Sequence, residues 1–304
     1  QLSGINASSL NTLIKNGIFE TWEQQIDRFS FDHVPLQALP KLTIHQHHTL
    51  IEIQKSFAQK STTLLWGVTG SGKTEIYITH VHQIIKNGGQ ILILLPEIAL
   101  TTQIIQRFRC YFGNRFGVYH SRFSDNERTE IYQNCLNDKY DFLIGVRSTI
   151  FLPFKHLELI IVDEEHEYSY KQYDPAPRYH ARDSALYLAQ IHHAKVLLGS
   201  ATPSLESYQN AIKSKFGFVK LNQRFKYQPL PEIKLANLSI ARKQKKMKGH
   251  FTVELIDQIK SSINKNKQVI LFQNRRGYAP IIECSECNHI PNCPNCAVSL
   301  TYHI

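Results

Sequence analysis

The sequence contains no apolar run that approaches the length of a membrane-spanning helix, which needs about 20 residues. Its longest apolar stretches, Ile91–Leu95 and Leu157–Val162, are typical of buried strands. The beginning of the chain also lacks the basic, apolar and small-residue pattern of a secretory segment, so we expect a cytoplasmic location and no membrane partner. Because the first residue is Gln1 and not methionine, we expect the sequence to be part of a longer chain.

Acidic residues are scarce relative to basic ones: 25 Asp and Glu stand against 35 Lys and Arg, for a net charge of +10. This excess favours a polyanionic partner such as nucleic acid over acidic small molecules. The segment from Lys213 to His250 alone holds eleven Lys and Arg and one acid, Glu232. We interpret it as a basic hinge that contacts phosphates; the alternative is a solvated linker.

Cysteine is also sparse, with six residues in two groups. Cys110 and Cys135 are isolated and are predicted to be buried thiols. The others form two C-x-x-C pairs, Cys284, Cys287, Cys293 and Cys296. In a cytosolic chain such pairs favour metal thiolates over disulfides. The five residues between the pairs are a short spacer for one tetrahedral ion, so we expect each pair to need a partner pair beyond Ile304. The alternatives are a disulfide or idle thiols.

Between Leu42 and Ser214, short apolar runs alternate with amphipathic helical stretches. This alternation predicts an α/β fold, a parallel sheet with helices on both faces. A helical period at Phe251–Ser262 and a predicted strand at Gln268–Phe272 then indicate the start of a second α/β lobe. The strand candidates of the first lobe are Thr62–Trp66, Gln90–Leu95, Phe116–Tyr119, Phe142–Gly145, Glu158–Val162 and Lys195–Leu198.

A glycine-rich segment at 67–74, G-V-T-G-S-G-K-T, stands between a predicted strand and a predicted helix. It fits the phosphate-loop pattern G-x-x-x-x-G-K-[ST], in which backbone amides and a helix N-terminus bind phosphate oxygens. Lys73 is expected to reach the β- and γ-phosphates and the Thr74 hydroxyl to hold Mg²⁺. The alternative is a glycine-rich turn without a ligand. The candidate ATP- and magnesium-binding residues here are Thr69, Gly70, Ser71, Gly72, Lys73 and Thr74.

An acidic turn, D-E-E-H at 163–166, follows the predicted strand at 158–162. A phosphate loop needs an acid near the metal and a base for the attacking water, and both are expected on a neighbouring strand. We assign the first role to Asp163 and the second to Glu164, so that the predicted catalytic residues are these two and Lys73. The alternative is an exposed acidic turn.

A third loop, Gly199–Pro203, follows the predicted strand at 195–198. Its small hydroxyl residues, Ser200 and Thr202, are candidates for coupling hydrolysis to movement, and simple turn chemistry is the alternative. Ligands of parallel sheets bind at the carboxyl ends of the strands. Three such loops, each after a strand, therefore predict one nucleotide site.

With these motifs, the sequence resembles helicase superfamily two, and within it the primosomal replication-restart DNA helicases. The resemblance extends over nearly all of residues 40–304. It implies a RecA-like lobe that uses ATP and Mg²⁺ for 3′→5′ DNA unwinding at stalled replication forks. Besides the three loops and the cysteine pairs, it rests on L-P-E-I-A-L-T at 95–101, G-V-R-S at 145–148 and F-Q-N-R-R-G-Y at 272–278.

The resemblance also implies roles for further residues. Gln46 corresponds to an adenine-contacting glutamine, and Arg147 and Ser148 correspond to residues that contact the DNA backbone. The segment 168–180 corresponds to an aromatic-rich loop that couples DNA to hydrolysis, and its tyrosines and cations suit base stacking and phosphate contact. The alternative is a tyrosine cluster packed against the other lobe. The candidate DNA-binding residues of this loop are Tyr168, Tyr170, Lys171 and Arg178.

The family's cysteine module has eight cysteines that bind two Zn²⁺ ions, of which this sequence has four. The family's late motifs include an arginine that stabilises the transferred phosphoryl group, and they are missing. Since such arginines contribute about 10³–10⁵ in rate in other nucleotide hydrolases, we expect these 304 residues to bind nucleotide and hydrolyse it slowly.

The chain is predicted to consist of five segments. They are the tail of a winged-helix-like module (1–34), an ATP-binding helicase lobe (35–214), the basic hinge (215–250), the start of a second lobe (251–283) and a partial zinc module (284–304). The implied partners are forked and single-stranded DNA, primosome and replisome proteins and single-stranded-DNA-binding protein, with the chain itself monomeric. Two alternatives remain: a DNA-binding scaffold that loads replication proteins and has a secondary ATP site, and a phosphate-loop enzyme such as a nucleotide kinase.

Overall fold

The computed structural model describes residues 7–20, 36–120, 123–224, 229, 231–272 and 290–291. The chain divides into two units, Gln1–Pro229 and Leu230–Ile304. The candidate zinc ligands Cys284, Cys287, Cys293 and Cys296 lie outside the described residues, as does most of the motif at 272–278.

The first unit alternates strands and helices along the chain. Its strands are β1 (Thr62–Gly67), β2 (Gln90–Leu94), β3 (Phe116–Tyr119), β4 (Phe142–Gly145), β5 (Leu157–Asp163), β6 (Lys195–Ser200) and β7 (Gly217–Leu221). Its helices are α1 (Ala7–Lys15), α2 (Ile44–Gln59), α3 (Lys73–Lys86), α4 (Thr102–Phe112), α5 (Asp125–Leu136), α6 (Ala181–His192) and α7 (Leu205–Ile212). Two 3₁₀ turns are formed by Arg147–Phe151 and Tyr168–Tyr170.

Hydroxyl side chains mark where most of the helices of the first unit begin. Thr43 and Ser124 form capping boxes with Gln46 and Glu127 at the starts of α2 and α5. Each box satisfies main-chain amides that the first helical turn leaves without partners. Helix α3 differs, because it begins after Gly72 and has no side-chain cap.

All seven strands are parallel and lie in the order β3-β4-β2-β5-β6-β1-β7. Parallel strands end at the same edge of a sheet, so the loops after β1, β5 and β6 meet at one edge. This arrangement positions the phosphate loop beside the acidic turn and the Gly199–Pro203 loop. The predicted parallel α/β sheet is confirmed.

Two apolar clusters cover the two faces of this sheet. In β2, Ile91 and Ile93 pack in the cluster that includes residues of α2, α3 and α4, whereas Leu92 and Leu94 pack in the cluster with residues of α5, α6 and α7. A strand that is buried on both faces is apolar without alternation, which explains the continuous runs in the sequence. Full burial of one such side chain contributes about 1.5–3 kcal/mol, so the central strands fix the sheet.

Strand β7 lies inside the segment 215–250, which was predicted to be hinge. It pairs with β1 from Thr63↔Gly217 to Gly67↔Leu221, so the sheet extends at least to Leu221. Val219 and Leu221 are buried, while Lys220 faces solvent. An edge strand needs only one apolar face. This short strand was therefore not recognised in the sequence, where its few apolar residues stand among lysines.

The second unit has two helices and a small hairpin among its described residues. They are α8 (Leu238–Lys243), β8 (Met247–Lys248), β9 (Phe251–Thr252) and α9 (Val253–Asn264). Helix α9 falls within two residues of the predicted helix at 251–262. The predicted strand Gln268–Phe272 is wrong, because these residues form no regular element and Phe272 is 86% exposed. A strand needs a hydrogen-bonded neighbour, and no described strand pairs with this one.

The remaining segment boundaries stay predictions. Among the helices described, none has the length and apolar character needed to cross a membrane.

Candidate functional site

The phosphate loop is built around two glycines in the left-handed region, Gly70 at φ 75° and Gly72 at φ 85°. A Cβ on Gly72 would run into the side-chain amide of Gln46 and lie 3.0 Å from the carboxylate of Glu75, so only glycine fits. The first amides of α3 have no side-chain cap, which leaves them available to an anion. The Ser71 hydroxyl is buried without a hydrogen-bond partner among the described residues. A phosphate oxygen at this loop would give it one.

A cavity of about 520 Å³ opens beside the loop. Its size is in the range of small-molecule and cofactor sites. It brings together candidates from three parts of the sequence: the phosphate loop, the acidic turn and the start of α2. The lining residues are Pro40, Lys41, Gln46, Val68, Thr69, Gly70, Ser71, Gly72, Lys73, Thr74, Glu75, Arg107, Asp163 and Glu164.

Lys73 connects the phosphate loop to the acidic turn. Its side chain is buried, and its Nζ donates to the carbonyl oxygen of Gly67 at 3.1 Å. The same Nζ lies 3.4 Å from Oε1 of Glu164. Two of the three predicted catalytic residues are therefore in direct contact.

Asp163 is the last residue of β5 and lines the same cavity. The hydroxyl of Tyr77 donates to its Oδ1 at 2.8 Å. Burial, with Glu164 adding to it, raises the pKa of Asp163 to about 6, although Lys73 and Tyr77 act in the opposite direction. The carboxyl is therefore mostly ionised at neutral pH and can ligate a cation.

The oxygen donors of this wall fit magnesium. Thr74 and Asp163 offer a hydroxyl and a carboxylate on one cavity, and Mg²⁺ binds through one or two carboxylates together with substrate phosphates. No group of three or more His, Cys, Asp or Glu suited to a metal occurs within the described ranges. That is compatible with a cation held jointly by protein and nucleotide.

Glu164 has an uncommon backbone conformation, with φ 46°. Non-glycine residues at positive φ cluster at functional sites, where the surrounding structure holds them in place. Glu164 Oε1 faces Lys73, and its Oε2 lies 3.7 Å from Nδ1 of His166.

His166 links the acidic turn to the Gly199–Pro203 loop. Its Nδ1 lies 2.8 Å from the Ser200 hydroxyl and its Nε2 3.3 Å from the Thr202 hydroxyl. The indole N–H of Trp66 donates to the carbonyl oxygen of Ala201 at 2.9 Å, so β1 also holds this loop. The two predicted coupling residues thus contact the acidic turn directly, through a histidine to which no role was assigned from the sequence.

Glu165 was also left without a role, and the structure gives it one. Its carboxylate is fully buried and accepts hydrogen bonds from Arg182, Ser204 and Ser207 at 2.7–3.0 Å. These partners are on α6 and at the start of α7, so Glu165 anchors the turn that positions Asp163. No local pattern in the sequence connects residues this far apart.

The aromatic-rich loop divides into buried and exposed tyrosines. Tyr168 is 84% exposed, whereas Tyr170 is 1% exposed. The Tyr170 hydroxyl donates to the main-chain oxygens of Asp163 at 2.7 Å and Leu94 at 3.0 Å. The buried ring of Tyr170 offers no face for base stacking, and its predicted DNA contact stays a prediction. In the structure, Tyr170 connects the loop to the acidic turn.

The other DNA-binding candidates lie around this loop. Arg147 donates to the main-chain oxygen of Ser169 at 3.3 Å, and Ser148 follows it on the first 3₁₀ turn. Lys171 donates to the main-chain oxygen of Arg178 at 2.9 Å, which closes the loop on itself. These four candidates lie apart from the 520 Å³ cavity, whose lining includes none of them.

Three cations around the phosphate loop were not singled out from the sequence. Lys41 and Arg107 line the cavity, and Arg107 pairs with Glu75. Arg224, just after β7, donates through Nε to the main-chain oxygen of Thr69 at 3.0 Å. Only the general basic excess of the chain pointed towards them.

The sequence is similar to known bacterial proteins along nearly its whole length. It is 36% identical to replication restart protein PriA of Bacillus subtilis over 303 residues, which are 98% of this chain and 37% of the relative. It is 39% identical to PriA of Haemophilus influenzae over 284 residues, 93% of this chain and 38% of the relative. The chain thus spans well under half the length of these relatives. Their similarity confirms the predicted resemblance to replication-restart helicases.

Among solved structures, the chain is similar to RecG bound to a three-way DNA junction, with a TM-score of 0.46 and 20% identity. That match covers 74% of this chain and 27% of RecG. The pattern of the DEAD/DEAH box helicase family matches residues 43–211, from the start of α2 through most of α7. The match covers more than half of the sequence and includes the phosphate loop, the acidic turn and the Gly199–Pro203 loop, so the chain belongs to the DEAD/DEAH box helicase family.

Proposed function

We propose that this chain is the ATP-hydrolysing part of a DNA helicase that acts in replication restart. One observation carries the proposal: Lys73, Thr74, Asp163 and Glu164 line a single cavity together with the phosphate loop. These are the groups that in-line hydrolysis of a triphosphate needs: a cation, two ligands for a metal and a base.

Each side chain has a separate task in this reaction. Lys73 leaves the Gly67 carbonyl and Glu164 to bind the β- and γ-phosphates, and the amides of the loop bind the remaining oxygens. Bound Mg²⁺, held by Thr74 and Asp163, supplies positive charge to the phosphates. Glu164 accepts the proton of the attacking water. The side-chain amide of Gln46 donates to the main-chain oxygen of Ser71 at 3.0 Å. Gln46 is proposed to contact adenine and so to connect the base to the phosphate loop.

Coupling to DNA is proposed to run through the two contacts of the acidic turn. Movement of the turn would be transmitted to Ser200 and Thr202 through the hydrogen bonds of His166. It would be transmitted to the aromatic-rich loop through the hydrogen bond of Tyr170. The DNA backbone would bind along the carboxyl ends of β2 to β4, where a second cavity of about 410 Å³ is formed mainly by the motif at 95–101. That cavity includes Val146, the neighbour of Arg147. Ser148, Tyr168, Lys171 and Arg178 are the further proposed DNA contacts.

The finer features of the function rest on the family resemblance. They are translocation in the 3′→5′ direction, preference for forked DNA, and assembly with primosome and replisome proteins and single-stranded-DNA-binding protein. Zinc binding by the four cysteines belongs to the same proposal. The name of the PriA relatives, replication restart protein, supports the restart role to which these features belong.

The proposal is tested by titrating a fluorescent ATP analogue with Mg²⁺. Lys73→Ala removes charge-assisted hydrogen bonds worth about 1.5–3 kcal/mol, so the affinity should fall about 10–150-fold. Lys86→Ala, at the other end of the same helix, is the control and should bind like the unchanged chain. Equal binding by the two variants would refute the nucleotide site.

Hydrolysis is tested separately with and without forked DNA. Glu164→Gln should bind the analogue and lose nearly all hydrolysis, because the base is gone while the phosphate contacts remain. DNA that stimulates the unchanged chain supports the motor. Fork binding that survives Lys73→Ala, together with hydrolysis that DNA never stimulates, would favour the scaffold function instead.

A further inference from the structure

Tyr77 is a large, buried side chain that does not line the cavity of the candidate nucleotide site but contacts Asp163, which does. It lies on α3, one turn after Thr74, and is 2% exposed. Its hydroxyl donates to Oδ1 of Asp163 at 2.8 Å. A buried hydroxyl without a partner is costly, so this hydrogen bond is strongly favoured. The bond joins the helix of the phosphate loop to the carboxylate of the acidic turn.

The neighbouring strand leaves room for this hydroxyl. Gly199 on β6 is paired with Asp163 in the sheet register. A Cβ on Gly199 would run into the Tyr77 hydroxyl and lie 3.2 Å from Oδ1 of Asp163. Gly199 does not have the positive φ that favours glycine, so the close approach of Tyr77 explains the residue at this position.

A second tyrosine holds Asp163 from the other side of the sheet. Tyr77 belongs to the apolar cluster on the face of α3, and Tyr170 to the cluster on the face of α6. The Tyr170 hydroxyl binds the main-chain oxygen of Asp163, whereas Tyr77 binds its side chain. The main chain and the carboxylate of Asp163 thus have separate tyrosine donors, and Tyr77 is the one that donates to the group that faces the cavity.

We propose that Tyr77 is a positioning residue for the nucleotide reaction. It fixes the Asp163 carboxylate in the orientation that the magnesium–nucleotide complex needs, and Gly199, which has no side chain, leaves space for the Tyr77 hydroxyl. This inference rests on the proposed function. Its physical basis is the cost of misplacement: a reacting group that is displaced by about 1 Å can lose about 100-fold in rate. A hydroxyl on a rigid, packed ring limits the carboxylate to one orientation.

The test compares binding of the fluorescent ATP analogue with Mg²⁺ and with EDTA. Tyr77→Phe keeps the ring and removes only the donor. We expect its affinity to fall about 5–30-fold with Mg²⁺ and to stay within twofold in EDTA, because Lys73 and the loop are unchanged. Tyr140→Phe is the matched control: it removes another buried hydroxyl, bonded to Asn134 at 3.2 Å, that lies outside the cavity. It should bind normally in both conditions.

Gly199→Ala gives a second, independent route. Its methyl group should displace the Tyr77 hydroxyl and cause the same magnesium-specific loss, while the tyrosine remains. In the double variant with Tyr77→Phe, the hydroxyl that the methyl group would run into is absent, and the nearest remaining atom is the ring Cζ at 3.1 Å. The two losses should therefore be far from additive, with the double variant close to Tyr77→Phe alone.

Three results would overturn the proposal. They are normal binding by Tyr77→Phe in Mg²⁺, an equal loss in Mg²⁺ and EDTA, and additive losses in the double variant. If Tyr77→Phe does not fold, Gly199→Ala alone decides through the same comparison. Failure of the proposed function is distinguishable, because Lys73→Ala would then bind nucleotide normally; if Lys73→Ala fails to bind while Tyr77→Phe is normal, only this inference is lost.

Discussion

The guanidinium of Arg182 donates to the carboxylate of Glu165 over 3.0 Å, and both side chains are buried. Burial lowers the pKa of Arg182, but Asp183 and Glu165 together outweigh it, so the net shift is upward and the charge is retained. Ser204 and Ser207 complete the coordination of the carboxylate. The third residue of the D-E-E-H turn therefore serves the structure of the site, while the first two, Asp163 and Glu164, face the cavity.

Breaking this pair should be costly. Glu165→Gln leaves the buried Arg182 with Asp183, an exposed carboxylate, as its remaining charge partner among the described residues, and removing one member of a buried pair costs about 3–5 kcal/mol. Urea denaturation should show the loss as a lower free energy of unfolding. Asp138→Asn is the control, since it breaks an exposed pair with Lys155 that is worth about 1 kcal/mol or less. Equal losses in the two variants would contradict a structural role for Glu165.

Substitutions at two glycines with nearly equal φ should distinguish the effect of backbone strain from the effect of a side chain in the phosphate loop. Gly72→Ala and Gly88→Ala both place a side chain at positive φ, which costs about 1 kcal/mol. Only at Gly72 does the new methyl group meet Gln46 and Glu75; at Gly88 there is nothing within 4 Å. We expect nucleotide affinity to fall tenfold or more for Gly72→Ala and to stay unchanged for Gly88→Ala. Comparable affinities would show that the loop tolerates a side chain there.

His166→Ala should separate nucleotide binding from its coupling to DNA. The variant loses the contacts to Ser200 and Thr202 but keeps Lys73 and Asp163. Affinity for the ATP analogue should stay within about threefold, whereas stimulation of hydrolysis by DNA should fall about tenfold or more. His48→Ala, an exposed change on α2, is the control and should behave normally. If DNA still stimulated hydrolysis fully in His166→Ala, the histidine would have no part in the coupling.

Magnesium-dependent nucleotide binding should weaken in mild acid. The raised pKa of Asp163, about 6, means that its carboxyl takes up a proton as the pH falls through that value. A protonated carboxyl is a poor ligand for Mg²⁺, so affinity should be full above pH 7 and decline towards pH 5. Because the cation competes with the proton, more Mg²⁺ should move the midpoint to lower pH. Binding measured in EDTA provides the baseline, and a midpoint that ignores the magnesium concentration would contradict the assignment.

The sequence predicted the strands well because the central ones are buried on both faces. Such strands are unbroken apolar runs, and the central strand β4 begins and ends at the predicted residues, as does the edge strand β3. Strand β7 was missed, because an edge strand with one buried face among lysines resembles a linker. The run Gln268–Phe272 was predicted to be a strand and is not one, since an apolar composition alone does not provide a strand to pair with.

The site was predictable where a motif places its residues within a few positions of one another. Lys73 and Thr74 belong to one loop, and Asp163 and Glu164 to one turn, so their types and spacing were sufficient. Tyr77 and Arg182 act on this site through contacts across 86 and 17 positions of sequence. Such contacts depend on strand order, which no short pattern encodes.

The parallel pairing of β7 with β1 also determines how a load would travel. The last pair of the register joins Gly67 and Leu221, and the amide of Val68 donates to the Leu221 oxygen at 3.2 Å. Because both strands end at the same edge, tension between the chain that continues from Leu221 and the phosphate loop would open the hydrogen bonds of this pair one at a time. The first bond to carry such tension is the one between Val68 and Leu221.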